Sequence, residues 1–267
     1  MYFSTLVVHL RELIADQALG FVFQPLFDLR RREVLGYEAL LRGPEDSPLH
    51  TPEQLLLVAR EAGLGLVLER LATRLALEAF VAAQLPGKAF LNLSAAMIVD
   101  QAPESGLGAM AEACGLARAR LVVEHMHHRE DGADGLDPAL ACLAAQGIGL
   151  SVDALDGGVP AGFVKLAPAL IRNIHTDPAR QRQLATLLQE AHALGTQVVA
   201  EGVEDARELA ALCDLGCDCA QGYLLGRPAA DPARQMSRGV AGILKARPVA
   251  GLRPGVGDHP ATLMPRL

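Results

Sequence analysis

Five short apolar runs each carry one polar residue that a buried strand does not ordinarily hold. They are Asn92 in Phe90-Leu-Asn-Leu, Glu124 in Leu121-Val-Val-Glu, Asp153 in Leu150-Ser-Val-Asp, Lys165 in Phe163-Val-Lys-Leu and Glu201 in Val198-Val-Ala-Glu. A sixth, Glu38, lies in Gly36-Tyr-Glu-Ala-Leu-Leu-Arg42. An isolated buried carboxylate is costly or is forced neutral. Polar groups at the ends of so many strands therefore imply convergence on a shared cation or substrate. Glu38, Asn92, Glu124 and Asp153 offer four oxygen ligands, and oxygen-only ligation suits a hard cation such as Mg²⁺ or Mn²⁺. Lys165 would orient a water or oppose a phosphate. Arg42, four residues beyond Glu38 on the same strand face, would clamp one. Taken singly, each residue is equally well a buried ion-pair partner. Six at equivalent strand ends point to a site.

Strand-like and helix-like segments alternate along the chain. Strands are expected over Phe21–Leu29, Val34–Leu41, Ala89–Ser94, Leu121–Glu124, Ile148–Asp153, Phe163–Leu166, Gln197–Val203 and Cys219–Leu225. Helical spacing covers Leu6–Gln17, Leu66–Gln84, Gly108–Cys114, Leu136–Gln146, Pro178–Leu194 and Asp205–Leu215. A further helix opens at Thr51-Pro52-Glu53, with Thr51 as N-cap and Pro52 at the first helical position. Strands separated by helices imply a mainly parallel sheet. About eight strands in roughly 220 residues suit a closed (β/α)8, TIM-type barrel of the α/β class, whose catalytic groups gather at the carboxyl ends of the strands. The first pair is joined by the short polar turn Arg30-Arg31-Arg32, so it must be antiparallel. The triple arginine reads as a solvated hairpin tip.

Composition narrows the function. The chain of 267 residues is 51% hydrophobic, ample for a core, and carries a net charge of −7. That charge argues against broad binding of DNA or RNA, while an anionic small ligand held by metal ions and local cations remains compatible. No apolar run approaches the roughly 20 residues that span a bilayer. The start lacks a basic segment followed by an apolar one, so a soluble cytoplasmic protein is expected, without membrane attachment. The five cysteines, an odd and irregular set, read as small buried residues rather than disulfides, and Cys213-x3-Cys217-x-Cys219 fits zinc poorly. Residues 1–245 read as one barrel domain. Residues 246–267, with four prolines and three glycines, read as an irregular tail.

Glu38-Ala-Leu-Leu-Arg42 resembles the signature of EAL domains, which hydrolyse the bacterial second messenger cyclic di-GMP to linear pGpG. The resemblance runs from Gln24-Pro25 to Gly226-Arg227-Pro228. It includes Leu91-Asn92-Leu93-Ser94, Leu121-Val-Val-Glu124, Lys165, Ala200-Glu201-Gly202-Val203-Glu204 and Gln221-Gly222-Tyr223. It implies a modified barrel with an antiparallel first strand. In active members two Mg²⁺ or Mn²⁺ ions promote in-line attack of water on a phosphodiester. By matching positions, Glu38, Asn92, Glu124 and Asp153 would hold the first ion. Glu201 would serve the second and its water, Lys165 would hold the nucleophilic water, and Glu204 would support the site. Gln24, Arg42 and Gln221 would contact the substrate.

Four departures from the family pattern stand around the same mouth. Active members have two successive aspartates, then Phe or Leu and a Gly-rich triplet. This chain reads Asp153-Ala154-Leu155-Asp156-Gly157-Gly158. Ala154 cannot bind a cation, so the second metal site loses an anchor. The loop that follows couples dimerisation to the active site in the family, and its Tyr-Ser-Ser stretch is absent here. Met126 and His127 replace a Thr and a Glu, the Glu being the one that braces this loop in the family, and Ala167 replaces an aspartate two residues after Lys165. His125, His127 and His128 read as exposed or loop residues rather than as a replacement transition-metal site. Two functions follow. The first is a degenerate domain that binds cyclic di-GMP, or a signalling-protein partner or second copy of itself, with weak or absent hydrolysis. The alternative is an active phosphodiesterase in which Asp156 or a water substitutes for the missing ligand.

Overall fold

A computed structural model describes residues 2–125, 134–153 and 161–232. Met126, His127, His128, Ala154, Leu155, Asp156 and the tail 246–267 lie outside the described residues. Eight strands close a barrel in sequence order, β1 to β8. They are β1 Gly20–Asp28, β2 Glu33–Arg42, β3 Lys88–Asn92, β4 Leu121–His125, β5 Gly149–Val152, β6 Phe163–Leu166, β7 Gln197–Ala200 and β8 Cys219–Gln221. β1 pairs antiparallel with both β2 and β8, and every other pairing between these strands is parallel. The α/β barrel with a reversed first strand is therefore as the sequence implied.

The helices are α1 Tyr2–Ala15, α2 Pro52–Glu61, α3 Gly65–Ala82, α4 Ala95–Gln101, α5 Leu107–Ala113, α6 Leu136–Ala145, α7 Pro168–Ile171, α8 Pro178–Ala193 and α9 Ala206–Leu215. Thr51 Oγ1 accepts from the Gln54 N–H at 3.4 Å, so the expected N-cap and following proline start α2. No helix of the described residues is long and apolar enough to cross a membrane.

Period-two alternation sorts the strand residues into an inner and an outer set. Outward side chains pack under the helices. Leu91, Val123 and Leu150 join Leu77 and Phe80 of α3 and Leu140 and Leu143 of α6. Val164, Val198 and Ala220 meet Leu184 and Leu188 of α8 and Leu209 and Leu212 of α9. Inward, Leu26, Phe90, Val122, Phe163, Val199 and Cys219 form an apolar plug. The rings of Phe90 and Phe163 meet edge to face at 5.4 Å.

Two residues farther toward the carboxyl ends of β3, β4, β6, β7 and β8, the plug is replaced by Asn92, Glu124, Lys165, Glu201 and Gln221. On the reversed β1 the same step leads back from Leu26 to Gln24. One alternation thus builds both the apolar floor and the polar layer above it.

Gly36 sets the height of Glu38 within this ring. A Cβ at Gly36 would lie 2.2 Å from the Lys88 carbonyl oxygen, so only glycine lets β2 meet β3 in this register. Gly36→Ala is expected to cost about 1–3 kcal/mol through forced strand separation, read as a lower urea midpoint with an unchanged slope. A midpoint equal to that of the wild type would contradict the close approach.

Five strands stop short of their expected ends. β1 stops at Asp28 rather than Leu29. β3 stops at Asn92 rather than Ser94, because Ser94 Oγ accepts from the Met97 N–H and caps α4. β5 stops at Val152 rather than Asp153. β7 stops at Ala200, before Gly202, whose φ of +67° leaves the extended region. β8 stops at Gln221, where Gly222 presses against the Val203 backbone.

At the hairpin tip Arg30 and Arg31 are exposed, as expected, and the turn is anchored to the barrel. Asp28 Oδ1 accepts the Arg30 and Arg31 N–H groups, and the Arg30 guanidinium reaches the buried Asp218 carboxylate at 2.9 Å.

Candidate active site at the barrel mouth

The polar layer is one connected network centred on Lys165. Its ammonium, on β6, lies 3.1 Å from Glu38 Oε2 on β2, 2.7 Å from Glu124 Oε1 on β4 and 3.1 Å from Glu201 Oε1, one residue past β7. Glu38 Oε1 accepts from Asn92 Nδ2 at 2.7 Å, and Oε2 accepts from Gln221 Nε2 at 2.8 Å. Gln221 Nε2 also donates to Gln24 Oε1 at 3.2 Å, and Gln24 Nε2 donates to the Gly226 carbonyl at 3.2 Å. Seven of the ten residues singled out in the sequence thus meet on six strands and the turn after β7.

Charge is unevenly balanced here. Burial alone would raise the Glu38 carboxyl, but the Lys165 ammonium and the Gln221 and Asn92 hydrogen bonds outweigh it, and the group stays below the usual carboxylate range. Burial pushes Glu124 up to about 8; Lys165 opposes this, while Glu38 and Glu201 reinforce it. Burial would lower Lys165, yet the Glu124, Glu38 and Glu201 carboxylates hold it above the ordinary lysine range. Three carboxylates share one ammonium, so the layer has room for further positive charge.

The other three residues are placed differently. Asp153 stands one residue past β5, exposed at the mouth. Arg42, half-buried, donates from Nη1 to the Leu41 carbonyl at 2.7 Å. Glu204 does not join the network: its carboxylate pairs with Arg172 at 2.9 Å, and its N–H donates to Glu208 Oε2 at 3.3 Å.

Nor are the expected ligands assembled around a cation position. Among the described residues no three His, Cys, Asp or Glu side chains converge as a ready-made metal site. Lys165 Nζ stands where the carboxylates converge. Their chemistry nonetheless fits a hard divalent ion. The donors are oxygens in charge surplus, and Gln221 Oε1 is a buried acceptor with no hydrogen-bond partner. His125, expected to be exposed or in a loop, instead closes β4 and is buried. Cys217 and Cys219 are buried, and burial raises both thiols, Cys217 to about 12.

Two residues were missed. Ser151 on β5 is only 2% exposed, is the register partner of Glu124 and has an Oγ without a hydrogen-bond partner. The run Leu150-Ser-Val-Asp153 already put it on the face of Asp153. Glu69 on α3 accepts from the Ser94 N–H at 3.1 Å and from Ser94 Oγ at 2.9 Å. It thereby ties down the turn that follows Asn92. No sequence spacing links residues 69 and 94. Both Glu69 and Ser94 line a cavity of about 450 Å³ that runs from Glu38, Asn92 and Glu124 to an apolar wall including Leu40, Leu56 and Ala76.

The sequence profile of the EAL domain matches residues 7–228. The bifunctional diguanylate cyclase/cyclic di-GMP phosphodiesterase MucR of Pseudomonas aeruginosa is 29% identical over 254 residues, covering 87% of this chain and 36% of that protein. The cyclic di-GMP phosphodiesterase NbdA of the same organism is 29% identical over 245 residues, covering 82% and 30%. The chain thus spans about a third of the length of these curated relatives.

Two solved structures share the fold. The FimX EAL domain of Xanthomonas citri, in complex with cyclic di-GMP, superposes with a TM-score of 0.75 at 18% identity, over 85% of this chain and 94% of that one. BlrP1 of Klebsiella pneumoniae, in a manganese/cyclic di-GMP complex, gives 0.69 at 22% identity, over 79% and 56%.

Proposed function

The chain belongs to the EAL domain family, and from that premise we propose that it is a degenerate member that binds cyclic di-GMP at the barrel mouth and hydrolyses it weakly or not at all. The observation that carries this reading is an asymmetry. The network of Glu38, Asn92, Glu124, Lys165, Glu201 and Gln221 is intact, while position 154, the family's second aspartate, is alanine.

Glu38, Asn92, Glu124 and Asp153 would hold a Mg²⁺ or Mn²⁺ ion, and Glu201 would serve a second ion and its water. When bound, the ion supplies Lewis-acid charge to the phosphodiester oxygens. The chain's own residues do the rest. Lys165 keeps a fixed positive charge among the carboxylates. Gln221 and Asn92 orient Glu38. Arg42, by exchanging its Leu41 carbonyl for a phosphate oxygen, would bind the ligand's backbone. These ground-state contacts can survive the loss of transition-state stabilisation that Ala154 implies, because binding and rate depend on different states. A signalling role through a protein partner or a second copy is part of the same reading.

Incubation with cyclic di-GMP and Mn²⁺, followed by chromatography for pGpG, tests it. Turnover far below about 1 s⁻¹, the low end of ordinary enzymes, is the expected result. Turnover at or above that value would reject degeneracy and favour the active phosphodiesterase.

A further inference from the structure

One polar side chain beside the network takes no part in it. Ser151, in the middle of β5, is only 2% exposed, and its Oγ has no hydrogen-bond partner. Its neighbours fix the way it faces. Leu150 belongs to the outer core under α3 and α6, and Val152 packs against the outer core under α8 and α9. By alternation Ser151 therefore points into the barrel. Its register partners are Glu124 on β4 and Phe163 on β6, and Phe163 lies two residues before Lys165. A buried hydroxyl without a partner is unfavourable, and alanine would fill the same position without that penalty. Glu124 shows the complementary gap. Its Oε2 accepts from Lys165 Nζ at 2.8 Å, whereas its Oε1, 2.7 Å from the same ammonium, makes no hydrogen bond. Two residues flank Glu124 in register. Asn92, on β3, already donates its Nδ2 to Glu38. Ser151 is the flank whose donor is uncommitted. Neighbouring strands lie about 4.8 Å apart, a gap that a freely rotating hydroxyl and a glutamate carboxylate can bridge.

We propose that Ser151 is a positioning residue for Glu124, its hydroxyl donating to that carboxylate when Glu124 serves a divalent ion. The inference rests on the ion site of the proposed function and deepens it by giving Glu124 a partner of its own. Both Glu124 oxygens now lie against Lys165. An oxygen that turns to a cation leaves the ammonium, and the carboxylate then needs another donor to keep its orientation. Hydrogen bonds from outside a ligand set fix ligand geometry in this way, and their loss weakens metal binding. Serine suits the task because its hydroxyl can stand idle in one state and rotate to donate in the other.

The test is a titration of the full chain with Mn²⁺ alone, read by electron paramagnetic resonance of the free ion, beside thermal midpoints without metal. Wild type, Ser151→Ala and Ser151→Thr are compared. Ser151→Ala should bind Mn²⁺ roughly tenfold more weakly. Its metal-free midpoint should be no lower than that of the wild type, because the hydroxyl it removes has no partner there. Ser151→Thr, which keeps the hydroxyl, should bind within about threefold of the wild type. A lowered metal-free midpoint of Ser151→Ala with unchanged affinity would mark a merely structural serine and overturn the inference. Ser151→Ala binding within about twofold of a wild type that binds would overturn the role of Ser151 alone, as would a Ser151→Thr as weak as the alanine variant. A wild type that leaves millimolar Mn²⁺ free would overturn this role together with the ion site of the proposed function.

Discussion

Ala154→Asp is expected to raise pGpG formation at least tenfold over the wild type in Mn²⁺, with a much smaller change in cyclic di-GMP affinity. The physical basis is the difference between holding a phosphodiester and stabilising its in-line displacement. Each ~1.4 kcal/mol of transition-state stabilisation is tenfold in rate, and an anionic ligand to a second cation acts mainly where charge develops. The lysine–carboxylate network is already in place. Lys165 already bridges Glu38, Glu124 and Glu201, and Gln221 and Asn92 already orient Glu38. Single-turnover chromatography beside a binding titration separates the two effects. If the rate stays flat, Ala154 is not the sole defect. Ala154→Asp combined with His127→Glu or Ala167→Asp then identifies which of the other departures limits the rate.

Lys165→Met is expected to be the most destabilising single change at the mouth. It leaves three carboxylates packed above an apolar plug with no cation among them. Removing one partner from a buried ion pair costs about 3–5 kcal/mol. In a barrel of this size that corresponds to a fall of roughly 6–20 °C in thermal midpoint. Two results should accompany it. Millimolar Ca²⁺ or Mn²⁺ should raise the midpoint of the variant more than that of the wild type, because a divalent ion replaces the missing charge. The double change Lys165→Met with Glu124→Gln should recover part of the loss, because Glu124 is the carboxyl that burial disfavours most clearly. A midpoint within about 2 °C of wild type would mean that the ammonium does not hold the layer together. If the single variant does not fold, the double variant still decides the point by folding or failing to fold.

Much of this arrangement was legible in the sequence, because period-two alternation is a strong local signal. Once Phe90, Val122, Phe163 and Val199 are read as inward, Asn92, Glu124, Lys165 and Glu201 must be inward too. The short Arg30–Arg32 connection likewise forced β1 to run antiparallel. What remained hidden depends on partners far apart in the chain. Strand-end position alone gives Lys165 a water or a phosphate to face, but its nearest neighbours are carboxylates from β2, β4 and the turn after β7. Glu204 was placed with the site by its motif, yet Arg172 holds its carboxylate. The Glu69–Ser94 contact joins α3 to the turn before α4 and has no local signature. The strand ends at Ala200 and Gln221 were overrun because Val203 and Leu225 look like strand residues. They are apolar for another reason: they bury the two turns that carry Glu201 and Tyr223.

The mouth of the barrel is thus a charged layer built on an apolar floor, with alanine at position 154. The most direct test is a calorimetric titration of the wild-type chain with cyclic di-GMP in Ca²⁺. Saturable binding tighter than about 100 µM, lost in Arg42→Ala, is the predicted result. The absence of any heat at several times that concentration (on the order of 500 µM, a binding energy too weak for a receptor) would contradict it.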